Sequence, residues 1–149
     1  MPKNNNIIDV DLSVIRKKRF RIDKDDSKIV EIDTSDMGIV KRLGEVEEKL
    51  QDLTAKAKSI QVDSTIEDMV TTLDEIDLEM RKYIDYVFDT NLCGIASPSG
   101  NMYDPFNGKH RYEHIIEVFG ALYEDNLSNE IQKLHQSVAK HTSKYTGKK

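Results

Sequence analysis

"DTSDMGIVKRLGEVEEKLQDLTAKAKSI", residues 33–60, decides the fold class. From Ile39 the apolar residues fall at Leu43, Val46, Leu50, Leu53, Ala57 and Ile60, in alternating steps of four and three. Residues spaced this way share one face of an α-helix, so the stretch predicts an amphipathic helix with a heptad seam. Thr34, Ser35 and Asp36 precede it, and each carries a side-chain oxygen able to cap the first free amides. Gly38 and Gly44 each disfavour the helix by about 1 kcal/mol relative to Ala, so packing must hold the first turns. The seam fits a helix in an ordinary bundle or a coiled coil with a second subunit.

The same period continues toward the C-terminus. "DSTIEDMVTTLDEIDLEMRKYIDYVFD", residues 63–89, opens with Ser64 and Glu67 at capping-box spacing. Ile66, Met69, Val70, Leu73, Ile76, Met80, Ile84, Val87 and Phe88 make one apolar stripe. Its polar face holds Asp63, Glu67, Asp68, Asp74, Glu75, Asp77, Glu79, Asp85 and Asp89 against Arg81 and Lys82 alone. Such a charge run reads as a solvated face or as a docking face for a basic partner, with Asp74, Glu75 and Asp77 as candidate contacts. Residues 90–109 hold three of the seven glycines and two of the three prolines, and predict a long loop. Met102, Tyr103 and Phe106 within it either plug the core or touch a partner. Residues 110–141 predict a long amphipathic helix through Ile115, Ile116, Phe119, Leu122, Tyr123, Leu127, Ile131, Leu134 and Val138, with a kink near Asn126 or Ser128. Residues 142–149 predict a frayed basic tail.

Toward the N-terminus the period changes to two. In "IRKKRFRIDKDDSKIVEID", residues 15–33, Phe20 and Ile22 alternate with charges, "DKDDS" forms a turn, and Ile29, Val30 and Ile32 follow. That pattern is a β-hairpin, which must pack on something or pair with another chain to persist in water. Residues 1–14 read as a flexible polar arm with Ile7 and Ile8 as anchors. The expected fold is mainly α (α+β): an N-terminal hairpin followed by three long amphipathic helices, with residues 15–141 as one domain.

Bulk properties narrow the function. The 149 residues are 33% charged and 38% hydrophobic, with a net charge of −5. Arg16, Lys17, Lys18, Arg19, Arg21 and Lys24 flank Phe20 as in a phosphate-and-base contact, but Asp25 and Asp26 follow at once and the whole chain is acidic. No nucleic-acid partner is expected. The single cysteine, Cys93, has no partner for an internal disulfide and fits a reducing compartment. The N-terminus lacks a signal-peptide core and no run approaches a membrane span, so the expectation is cytoplasmic, without a membrane. His110, His114 and Glu117 share a helical stripe and could supply three zinc ligands, but the spacing is not that of the metalloprotease helix. "GIASPSG" lacks the lysine and helix start of a phosphate loop. No motif argues for an enzyme, a metal or a cofactor.

Two blocks carry a resemblance. "KKRFRIDKDDSKIVEIDTSDMGIVKRL" and "IDYVFDTNLCGIASPSGNMYDPFNGKHRYEHIIEVFGALYE" resemble the two halves of tail assembly chaperones of long-tailed phages and prophages of Gram-positive bacteria. The second block shows an acid-aromatic helix end, a Gly/Ser loop and an NGK-type turn into an aromatic helix; the likeness spans roughly residues 8–149. It implies a non-enzymatic role in the host cytoplasm, coating the tape measure protein while tube subunits polymerise around it. It also implies a homo-oligomer and no catalytic residues, with the tube protein as a further partner. Met102, Tyr103 and Phe106 would be client contacts. A structural virion component, tail- or connector-associated, is the alternative. The terminal "GKK" is compatible with the slippery codons of a frameshifted longer form.

Overall fold

The computed structural model describes residues 6–11, 17–60 and 65–146, with side chains up to Gln136. The fold is mainly α with a small β-hairpin at its start. In the hairpin, β1 (Lys18–Arg21) pairs antiparallel with β2 (Ile29–Ile32), setting Phe20 opposite Val30 and Lys18 opposite Ile32. Val30 and Ile32 are buried, and Phe20 meets Phe119 edge-to-face at 6.5 Å. The hairpin is therefore stabilised by the helical body. Its turn uses Asp23 and Lys24 at positive φ, and the Asp25 carboxylate accepts from the backbone and hydroxyl of Ser27. Those bonds hold the Asp25 carboxyl below its ordinary pKa. Of the expected arm, residues 6–11 are described, with Ile7, Ile8 and Val10 exposed; the rest lies outside the described residues.

The 33–60 stretch forms α1 (Gly38–Lys58), and Ile39, Val46, Leu50 and Leu53 of the seam are buried. Its start differs from expectation. The N-cap position is Met37, which gives no side-chain bond. Asp36 acts from one residue earlier, accepting from the Gly38 amide at 2.8 Å and from Arg42 at 2.6 Å. Thr34 is buried, and the Ser35 hydroxyl is turned back to Asp33. The Asp36 backbone carbonyl accepts from the Tyr123 hydroxyl at 2.7 Å, so one residue ties the start of α1 to the last helix.

α2 (Ile66–Phe88) is capped by Thr65, whose hydroxyl accepts from the Asp68 amide at 3.1 Å. Ser64, the expected cap, and Asp63 lie outside the described residues. α1 and α2 run antiparallel: Arg42 donates to the Val87 carbonyl, Tyr86 to Glu45, and Lys49 sits over the Tyr83 ring. This register brings the end of α1 beside the middle of α2. The first turns of α2 therefore run past their partner, and Ile66 and Val70 of the expected apolar stripe are exposed. Ile76, Met80, Ile84, Val87 and Phe88 form the core with α1 and the hairpin.

Residues 90–109 contain more regular structure than expected. α3 (Leu92–Ala96) follows α2 directly, and β3 (Pro105–Phe106) pairs with β4 (Lys109–His110) in a second small hairpin. Asn107 and Gly108 turn this hairpin, both at positive φ, as a two-residue hairpin turn requires. α4 (Arg111–Thr146) is assigned as helix without a break at Asn126 or Ser128, and extends beyond the expected boundary at 141. Lys148 and Lys149 of the expected tail are outside the described residues. No helix among the described residues is long and apolar enough to cross a membrane.

Candidate partner groove

Two constructions meet beside α1: a loop region fixed by charged groups, and an open groove. The loop is fixed from α2. Arg81 binds Asp77 at 2.8 Å, then donates to the carbonyls of Cys93 (3.3 Å), Ser97 (2.8 Å) and Gly100 (2.9 Å). The second oxygen of Asp77 accepts from the Met102 amide at 2.6 Å. Asp85 accepts from the amides of Leu92 and Cys93, covering the start of α3. Each is a charge-assisted bond to backbone that would otherwise lose its water on burial. Gly100 has φ +80, and an added Cβ would lie 2.7 Å from Arg111, so a side chain there is both strained and crowded.

This arrangement divides the six expected contact residues. Met102 is fully buried, and its amide is held by Asp77; both belong to the interior fastening of the loop and offer no contact surface. Asp85 is likewise internal, which removes two carboxylates from the expected acidic face. Asp74 and Glu75 stay exposed on α2. Phe106 is exposed on β3, beside a hollow lined by Asp104, Arg111 and His114. Tyr103 is half-buried and turns toward α1; burial pushes its hydroxyl pKa up.

The histidines are separated in role. His110 places Nδ1 2.8 Å from the Tyr103 carbonyl oxygen, and its ring stacks on Tyr112. Its backbone amide donates to Glu113, which closes the first turn of α4. His114 is exposed, and Glu117 pairs with Lys109, which holds the carboxyl below its ordinary range. Among the described residues no three His, Cys, Asp or Glu side chains are grouped to hold a metal. Cys93 is fully buried, and burial and Asp85 push its thiol pKa up, so the reactive thiolate is suppressed.

The position of the groove was not foreseen. α1 lies along α2, while its other side approaches α4 only sparsely. Three adjoining hollows of about 430, 270 and 410 Å³ follow that side of α1 from Ile39 to Lys58. The first two share Leu43, Ile116 and Glu117, and the last two share Lys109, so they form one trough. Its α1 wall includes Val40, Leu43, Leu50, Thr54 and Ala57 at helical spacing. Tyr112, Ile116, Gly120 and Ala121 of α4 face them, and Tyr103 and Pro105 close one end. Glu47, Glu113, Glu117 and Glu124 outnumber Lys58 and Lys109 among the charged lining residues. Val40 is 62% exposed although it continues the apolar lining.

Sequence reasoning reached the α1 seam but not the trough, because Leu43 and Leu50 read as core positions whichever helix covers them. Arg81 carried a readable signal: it lies four residues after Asp77 on a helix otherwise crowded with acids. The chain matches no known family model, characterised protein or solved structure.

Proposed function

We propose that this protein is a non-enzymatic tail assembly chaperone of a long-tailed phage or prophage. It acts in the host cytoplasm and takes an amphipathic helix of the tape measure protein into the trough between α1 and α4. The observation that carries the reading is the trough itself: apolar in its floor, open to solvent, and about 30 Å long at 1.5 Å per residue of α1. Helix-in-groove recognition needs such a surface. A tape measure protein is a long helical chain whose apolar faces must be masked until tube subunits surround it. The sequence likeness in residues 17–43 and 84–124 supports the same assignment.

The test is a calorimetric titration with a tape measure fragment. Burial of apolar area should dominate affinity, while exposed acids act through attraction that salt screens beyond about 8 Å. Val40→Asp and Ile116→Asp should each weaken binding by about tenfold or more, and the pair Asp74→Asn with Glu75→Gln should weaken it less. Loss of binding in the acid pair with retention in the groove variants would sink the reading. Its presence in purified virions at subunit copy number would instead make it a structural component.

A further inference from the structure

We propose that, without a client, the trough of one copy is filled by the outer half of α4 from a second copy. At 1.5 Å per residue, α4 is about 54 Å long, and its inner half packs on the body as far as Leu127. From Ser128 to Gln136 every residue but the half-buried Ile131 is exposed. A lone helix of this length is marginal in water and gains stability from a partner on its apolar side. That side exists: Leu127, Ile131 and Leu134 stand at i, i+4 and i+7, Leu134 is 61% exposed, and the sequence continues the series at Val138.

Three observations select the trough of another copy as that partner. The inner half of α4 is one wall of its own trough, and an unbroken helix cannot fold back onto itself, so the outer half of α4 can enter a trough only in a second chain. The lengths agree: residues 128–146 span about 28 Å, against about 30 Å of trough. The charges are opposite as well. Residues 128–146 carry three lysines and one acid, Glu130, while the trough is lined by an excess of glutamates. Such complementarity orients and speeds association. The contact is head-to-tail, so it generates a ring where the rotation closes and an open chain where it does not. It shares the trough with the client-binding reading but does not rest on that reading; a client helix would compete for the same surface.

Sedimentation velocity of the full chain over a concentration series tests it. The expected result is mass above one chain that falls on dilution. Leu134→Asp and Val40→Asp, both at exposed positions and checked for helicity by circular dichroism, should each weaken self-association by about tenfold or more. A monomer at all concentrations, or variants that associate like the parent, overturns the proposal. Cysteine pairs fix the geometry. A mixture of Val40→Cys and Leu134→Cys chains, oxidised with copper–phenanthroline, should give a cross-linked dimer that neither gives alone. Cross-linking of Leu134→Cys with itself would mean tail-to-tail pairing, and of Val40→Cys with itself a face-to-face dimer; either overturns the proposal. Mixed cross-linking without tape measure binding sustains it while sinking the client reading. Tape measure binding by a chain that is always monomeric does the reverse.

Discussion

The segment between α2 and α4 is broken into short elements and turns yet has little freedom, whereas α4 from Ser128 to Gln136 is wholly regular and largely exposed. Residues 90–110 are fastened by Asp77, Arg81 and Asp85 through backbone amides and carbonyls, with Met102 as a buried plug. Residues 128–136 satisfy their backbone internally and, the half-buried Ile131 apart, leave their side chains in water. Hydrogen-bond satisfaction and packing are separate achievements. A loop becomes fixed when charged side chains replace the missing backbone partners; a helix far from the body keeps its bonds and gains no burial.

Arg81→Met should produce the largest effect. It leaves Asp77 half-buried without its ion partner and takes the Arg81 donor from the Ser97 and Gly100 carbonyls, while the Cys93 carbonyl keeps the Ser97 amide. Removing one member of such a pair costs about 3–5 kcal/mol, to be read from urea unfolding. A loss under about 1 kcal/mol, within the spread of surface substitutions and weak pairs, would mean that the loop is held otherwise. Met102→Ala should follow at about 2–5 kcal/mol, as for other fully buried side chains. Asp85→Ala, which frees the Leu92 and Cys93 amides, should cost about 1–2 kcal/mol, like the loss of a helix cap.

The contrast between the two regions also explains what could be read from sequence. The seam of α1 and the alternation around Phe20 are local periodicities, and both elements formed where those patterns lay. The 90–109 stretch reads as a loop because its glycines and prolines break the period. Its fastening depends on where α2 passes, which no local pattern records. Asp77 and Asp85 look like members of a solvated acidic face for the same reason: charge is visible in a sequence, and the buried amide it will meet is not. The Asn107-Gly108 turn was legible as residue chemistry, since two left-handed residues in succession favour that pair. The trough was not, because it arises from the distance between α1 and α4.

A smaller effect separates the inner half of α4 from the outer. Asp36 holds Arg42 with its side chain and Tyr123 with its carbonyl. The Arg42 bond, opposed by partial burial and aided by the Gly38 amide, lowers the Asp36 pKa below its ordinary 3.8. A lowered carboxylate contributes stability that is fully present above its unfolded pKa and is lost as pH falls through the folded value. The melting difference between the parent and Asp36→Asn should therefore be constant above about pH 4 and shrink below it. The side chain is 30% exposed, so about 0.2–1 kcal/mol is expected at neutral pH. A difference that grows on acidification would assign the stability to another group.

The smallest effect is expected at Leu134, and its concentration dependence is what makes it informative. An exposed position away from caps and cores changes stability within about 0.5 kcal/mol. At micromolar dilution, where copies are apart, Leu134→Asp should melt with the parent. At high concentration the parent gains stability by mass action, because only folded chains present both helix and trough, while the variant gains little. The two melting temperatures should thus coincide when dilute and separate when concentrated. A constant gap at every concentration would place Leu134 in an intrachain contact, and the outer half of α4 would then be packed after all. Coincidence throughout would leave the helix without a partner copy. The contrast with residues 90–110 sharpens here: Met102→Ala should cost the same at every concentration, since everything that holds the loop lies within one chain.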